Sequence, residues 1–211
     1  MKIKETLRIL LTNTGKTNKT ETSVSPTTNG VYFIVRDQDA GCNAYVKLTD
    51  KTAAAPKGTR YIGVKMGDRA IAVALKDLPG DSELRLLPRN HRSPYTSEHY
   101  SLDTEKQVDR FNVYEDFDGK GNTERLKAAG CEIQLPDREW IPSMGEIGLL
   151  MMNLSKVNKA IELAGGKPLK RFSWSSTEYS QLYAWLVHFS DGGTYFSSKC
   201  SSVAVRAVAA F

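Results

Sequence analysis

Trp185-Leu186-Val187-His188-Phe189 alternates with the period of an extended strand. Side chains on a strand point to opposite faces in turn, so Trp185, Val187 and Phe189 share one face while Leu186 and His188 share the other. The first face is expected to be core and the second to look outward. Around this strand, the 26 residues from Tyr179 to Ala204 hold only two charged residues, Asp191 and Lys199. They hold six aromatics (Tyr179, Tyr183, Trp185, Phe189, Tyr195 and Phe196) and six serines. Tyrosine offers rigid amphipathic area at low entropic cost and serine offers adaptable hydrogen bonds, the combination that antibody loops use. A half-buried sheet with serine-rich turns has the same composition, so composition alone leaves both readings open. The closing run Val203–Ala209 also has strand character, with small residues suited to close packing beside a neighbour.

Upstream, Ser143 and Glu146 in Pro142-Ser143-Met144-Gly145-Glu146 have capping-box spacing, so each can satisfy an amide that the first helical turn leaves bare. Ile147, Leu149, Leu150, Met151 and Leu154 supply a broad apolar face, with the methionines as core filler. Ser155 is expected to restart the helix, with Val157, Ala160, Ile161 and Ala164 at helical spacing, until Gly165-Gly166 and Pro168 end it. In Asp116-Phe117-Asp118-Gly119-Lys120-Gly121 a calcium loop is suggested, but Lys120 and Lys127 fall at the fifth and twelfth positions, where oxygen ligands belong. The stretch is read as a glycine turn, with Asn122 or Thr123 capping a short helix from Glu124 to Ala129 that Gly130 stops.

Strands are expected at Gly30–Val35 and Ala44–Leu48, and a hairpin at Tyr61–Met66 and Ala70–Leu75 around Gly67-Asp68-Arg69. Residues Arg89 to Gln107 read as a long polar loop; its His91 and His99 lack a third ligand at useful spacing for a metal. Thr12 to Asn29 has one aliphatic residue, Val24, so residues 1–29 are expected to be a polar arm or linker and residues 30–211 one domain. Cys42, Cys131 and Cys200 are too scattered for a disulfide framework or a zinc site. Of the +5 net charge, residues 1–20 carry five bases (Lys2, Lys4, Arg8, Lys16 and Lys19) against Glu5, or +4. The remainder is nearly neutral, which argues against a nucleic-acid-binding face. With no long apolar run and no cleavage site after Ile9-Leu10-Leu11, neither membrane insertion nor a signal peptide is expected.

Trp140-Ile141-Pro142-Ser143, Gly145-Glu146 with its helix, Trp174-Ser175-Ser176-Thr177-Glu178, Ala184-Trp185, Phe189, Gly192, Lys199 and the ending Val205-Arg206-Ala207-Val208-Ala209-Ala210-Phe211 together resemble a known family. It is the variable proteins of diversity-generating retroelements, of which the phage major tropism determinant is a distant example. The resemblance is specific over Glu139–Phe211 and weaker over Gly30–Gly130. It implies an α+β C-type lectin fold (formylglycine-generating-enzyme-like), with antiparallel strands and two or three helices. It also implies a ligand-binding segment, residues 179–204, rewritten by copying asparagine codons with errors at adenines. Such copying can yield fifteen residue types but never Lys, Glu, Gln, Met or Trp. Those types occur in the segment only at Gln181, Trp185 and Lys199, and the last two fall on the family's fixed framework.

Position by position, the resemblance implies diversification of Tyr179, Ser180, Leu182, Tyr183, Leu186, His188, Ser190, Tyr195, Phe196, Ser197, Ser198, Cys200, Ser201, Ser202 and Ala204, all expected to face outward. Trp174, Trp185, Phe189 and Arg206 would be scaffold. The implied function is non-catalytic recognition of a protein or cell-surface ligand, without cofactor or metal, on a phage virion or a cell surface, otherwise in the cytoplasm. A homo-oligomer would add avidity. Calcium is not expected, since Gln134-Leu135-Pro136-Asp137 lacks a partnering carboxylate cluster. An enzyme pairing Cys200 with His188 would lack a second cysteine nearby. The rival reading is an adhesin or structural tip protein of the same fold that is not diversified.

Overall fold

The computed structural model describes residues 25–36, 43–80, 82–83, 112–128, 131, 133–179 and 183–211. The expected arm up to residue 24, Cys42, the Arg89–Gln107 loop with its two histidines, the Ala129-Gly130 helix stop, and Ser180, Gln181 and Leu182 lie outside the described residues. Thr28 and Asn29, at the end of the arm, are in contact with the strands. The Asn29 carboxamide oxygen accepts from the Gly67 amide at 2.8 Å, and the Thr28 and Tyr32 hydroxyls lie 2.7 Å apart.

β-Branched and aromatic residues form strands β1 (Gly30–Arg36), β2 (Asn43–Lys47), β3 (Thr59–Met66) and β4 (Arg69–Ala74), followed by a short β5 (Ser82–Glu83). The β3–β4 hairpin pairs Met66 with Arg69, leaving Gly67-Asp68 as a two-residue turn. Gly67 has φ +57°, the sign that a type II′ turn requires at its first central position. A 3₁₀ turn, Asn112–Glu115, leads into helix α1 (Gly119–Ala128). Strand β6 (Glu139–Trp140), helices α2 (Met144–Met152) and α3 (Leu154–Leu163), and strands β7 (Phe172–Glu178), β8 (Tyr183–His188), β9 (Gly193–Ser198), β10 (Ser202–Val203) and β11 (Val208–Ala209) follow. The fold is α+β. A six-stranded sheet runs β2-β1-β3-β4-β11-β6, a three-stranded sheet β7-β8-β9, and β10 pairs with β5; all these pairings are antiparallel. Among the described residues no helix is long and apolar enough to cross a membrane.

The main core lies between the six-stranded sheet (Phe33, Ile62, Val64, Val73), helices α2 and α3 (Ile147, Leu150, Val157, Ile161) and one face of the three-stranded sheet (Trp185, Val187). A smaller core of Leu126, Cys131, Ile141, Trp174, Ala184, Leu186 and Val205 covers the other face. Strand β8 is therefore buried on both sides, and Leu186, expected to look outward, is 4% exposed. Alternation separates the two faces of a strand but does not say whether another layer covers the second one.

Three local expectations need correction. Helix α1 begins at Gly119, not Glu124, because Asp118 takes the capping role: its Oδ1 accepts from the Gly121 amide at 3.1 Å. Asn122 and Thr123 then lie inside the helix and are buried. Only glycine fits at 119, since a Cβ there would collide with the Glu146 carboxylate. Helix α3 starts at Leu154 rather than Ser155, directly after the Asn153 cap. The closing run is not one strand: β10 pairs with β5, β11 inserts between β4 and β6, and Ala204–Ala207 pass between. Arg206 holds that crossing, with Nε donating to Asp77 Oδ1 at 2.7 Å and its terminal nitrogens to Ala74 O at 3.0 Å and Lys167 O at 2.9 Å. Charge-assisted bonds to three acceptors offset the burial of the guanidinium.

Candidate ligand-binding site

The register of β7-β8-β9 sorts the C-terminal residues onto two faces. Phe172 opposes His188, Leu186 opposes Tyr195, and Trp185 opposes Phe196. Paired residues share a face, so Phe172, His188, Leu186 and Tyr195 lie on one side, and Trp185 and Phe196 on the other.

On the main-core side the aromatics stack on one another. The Phe196 ring lies 4.1 Å from that of Tyr179 at 9°, and Tyr179 meets Trp185 edge-on at 5.0 Å and 75°. Tyr183 stands edge-on to Phe196 at 5.8 Å. The buried Trp185 indole N–H has no hydrogen-bond partner among the described residues.

The opposite face opens into a pocket of about 580 Å³. It is lined by the exposed Lys170, Arg171, Phe172, Tyr195, Phe196 and Ser202, the half-buried His188, Ser197 and Val203, and the buried Leu186 and Ala204. The Phe172 ring stacks on His188 at 4.3 Å and 28° and takes the edge of Tyr195 at 5.4 Å. His188 Nδ1 lies 2.8 Å from Asp191 Oδ2, which fixes the imidazole. The hydrogen bond from His188, with a second from the Gly193 amide at 2.7 Å, holds the Asp191 carboxyl below the usual carboxylate range. Mostly apolar walls with a few fixed polar groups are the usual make-up of a ligand site.

Of the fifteen expected positions, Leu186, His188, Tyr195, Phe196, Ser197, Ser202 and Ala204 line this pocket. Leu186 and Ala204 do so from inside, at 4% and 2% exposure, which corrects the expectation that they face outward. Ser190 and Cys200 are exposed, while Ser198 and Ser201 are half-buried; the Ser201 hydroxyl lies 2.9 Å from that of Ser197. Tyr179, half-buried, and Tyr183, exposed, belong to the main-core side. Cys131 and Cys200 form no disulfide. Trp174, Trp185, Phe189 and Arg206, expected to be scaffold, are buried. Lys199 is buried too, donating to Glu178 Oε1 at the end of β7. Burial lowers the Lys199 pKa, and the Glu178 partner opposes that shift.

A polar network that sequence reasoning missed clamps β7 to α1 and α2. Asp116 Oδ2 accepts from Thr177 Oγ1 at 2.7 Å and from Asn122 Nδ2 at 2.9 Å. Thr177 Oγ1 accepts in turn from the Met144 amide at 2.9 Å. The capping box is present as expected, with the Ser143 amide donating to Glu146 Oε2 at 2.8 Å. Trp140 Nε1 donates to the same carboxylate at 3.1 Å. Burial pushes the Glu146 pKa up to about 7 against these donors. Among the described residues no three His, Cys, Asp or Glu side chains cluster as metal ligands.

Phe172, Lys170 and Arg171 were also missed, because they precede the Tyr- and Ser-rich segment. The sequence signal was the two-residue spacing of Phe172 and Trp174, which puts both on the Leu186 face.

No family model matches the chain. No curated protein matches it either. Among solved structures it is similar to a fimbrial protein from Bacteroides ovatus, at 14% identity and a TM-score of 0.46. The match covers 86% of this chain and 48% of that one, so the chain spans about half the length of that protein.

Proposed function

We propose that this is a non-catalytic ligand-binding protein of the C-type lectin fold, whose C-terminal surface is diversified by a retroelement. The observation that carries this reading is the split between two classes of position. Those expected to vary include most of the pocket lining, and those expected to stay fixed, Trp174, Trp185, Phe189, Lys199 and Arg206, are all buried. A buried framework keeps its shape while exposed positions change, because surface substitutions usually alter stability by only about 0.5 kcal/mol. The ligand is a protein or cell-surface molecule rather than nucleic acid, met from a phage particle or a cell surface.

The test is the encoding DNA. Codons at the fifteen positions should all end in C or T, and a near-copy rich in AAC or AAT should lie close by, beside a reverse transcriptase gene. Purine-ending codons scattered through those positions would sink the proposal.

A second reading, an adhesin of the same fold with a fixed surface, gains from the burial of Leu186 and Ala204. Free substitution there would disturb the smaller core. If the codons at 186 and 204 alone depart from the pattern, the variable set contracts to the exposed positions and the first reading stands.

A further inference from the structure

The outer edge of β9 is the part of this site whose chemistry side-chain replacement leaves unchanged. In the order β7-β8-β9 it has β8 on one side and no strand on the other among the described residues. Six consecutive pairs, from Tyr183↔Ser198 to His188↔Gly193, run without a register shift. Antiparallel neighbours exchange hydrogen bonds at alternate residues, so the intervening residues aim their amides and carbonyls outward in a regular row. Exposed edges are usually blunted by charge, proline or a bulge. Gly193-Thr194-Tyr195-Phe196-Ser197-Ser198 has none of these. Its ends are closed, by the Gly193 amide on Asp191 Oδ1 and by the Ser201 amide on Ser198 O at 2.8 Å. Among the described residues no turn, cap or loop hydrogen bond uses the main chain of Thr194 to Ser197.

Beside this open row lies the pocket, to which Tyr195 and Ser197 of the same strand contribute. We infer that the ligand is an extended segment of a partner protein that adds antiparallel to β9 and sets an apolar side chain into the pocket. This rests on the ligand-binding reading above and names its ligand class. The edge selects a peptide because only another main chain matches a row of alternating donors and acceptors. The pocket then reads side chains that recur on one face of the added strand. Side chains at Tyr195–Ser198 can change while the backbone row stays, so main-chain bonds supply a constant part of the affinity and the varied residues supply specificity.

The experiment pans a random library of peptides of about twelve residues against the full chain and remakes an enriched peptide with N-methyl groups on either alternate set of amides. Methylating the set that faces β9 should weaken binding about tenfold or more, and the other set should have little effect. Amides of β9 should gain hydrogen-exchange protection when the peptide binds. Affinity indifferent to both methylations, with binding still lost in Tyr195→Ala, would overturn strand addition and leave the pocket as the binding site. If no enriched peptide is weakened by Tyr195→Ala, the ligand-binding reading fails together with this one. Protection of β9 that appears without peptide and rises as the chain dimerises would make a second copy the occupant and also overturn the inference.

Discussion

The two faces of the β7-β8-β9 sheet are built from the same kinds of residue and behave differently. Phe196 and Tyr195 are neighbours in sequence, both aromatic and both 44% exposed. Phe196 rests on Tyr179 and against Trp185 and so extends the main core. Tyr195 meets Phe172 edge-on and lies over Gly193, beside an open pocket. Exposure alone does not separate an aromatic that extends the core from one that borders a pocket; what lies beneath the ring does.

The largest expected effect tests what holds the two faces in register. Glu178→Ala removes the carboxylate that faces the buried Lys199 ammonium, and should cost about 3–5 kcal/mol in urea unfolding. Replacing both residues by methionine should recover much of that loss.

Next is the clamp on β7. Glu146 has an ordinary value of 4.5 and a folded value of about 7, so between those pH values the folded chain holds a proton that the unfolded chain has released. Its contribution is complete below about pH 4.5 and is lost as pH rises through about 7, a change of roughly 3 kcal/mol at most. Unfolding free energy followed across that window should fall with pH, and Glu146→Gln should flatten the fall.

Leu186→Ala tests the face that was expected to be open. A buried leucine at the pocket floor should cost about 2–3 kcal/mol, toward the low end for such truncations because one side already borders the pocket. A change under about 0.5 kcal/mol would return Leu186 to the surface class.

The smaller effects separate the neighbouring aromatics. Phe196→Ala should cost about 1–2 kcal/mol through lost ring contacts. Tyr195→Ala should stay within about 0.5 kcal/mol in thermal melting, yet reduce ligand capture about tenfold or more. Equal losses of stability in the two variants would erase the contrast between the faces.

Much of this was legible in the chain. The capping box of Ser143 and Glu146, the hairpin around Gly67-Asp68-Arg69, its turn shortened because Arg69 pairs with Met66, and the helical spacing of Val157, Ala160 and Ile161 are local patterns, closed by residues a few positions apart. The start of α1 was misplaced because Asp118, Asn122 and Thr123 can each cap, and contacts made only in the fold, Asn122 with Asp116 and Thr123 with Ile141, leave the cap to Asp118. Phe172 was missed as a pocket wall because its partner is His188 across the sheet, not a sequence neighbour.

The sequence by itself determined which residues of Tyr179–Ala204 alternate, which are charged and which are compatible with adenine-directed change, since each of these is a property of order and residue type. Only the tertiary structure decided that the alternation separates a stacked aromatic face from a pocket. It also decided that Leu186 and Ala204 belong to an interior and that Lys199 finds its counter-charge at Glu178. The physical reason is that burial depends on what covers a face, and the covering residues, Leu126, Ile141 and Val205 on one side and helices α2 and α3 on the other, are distant in the chain.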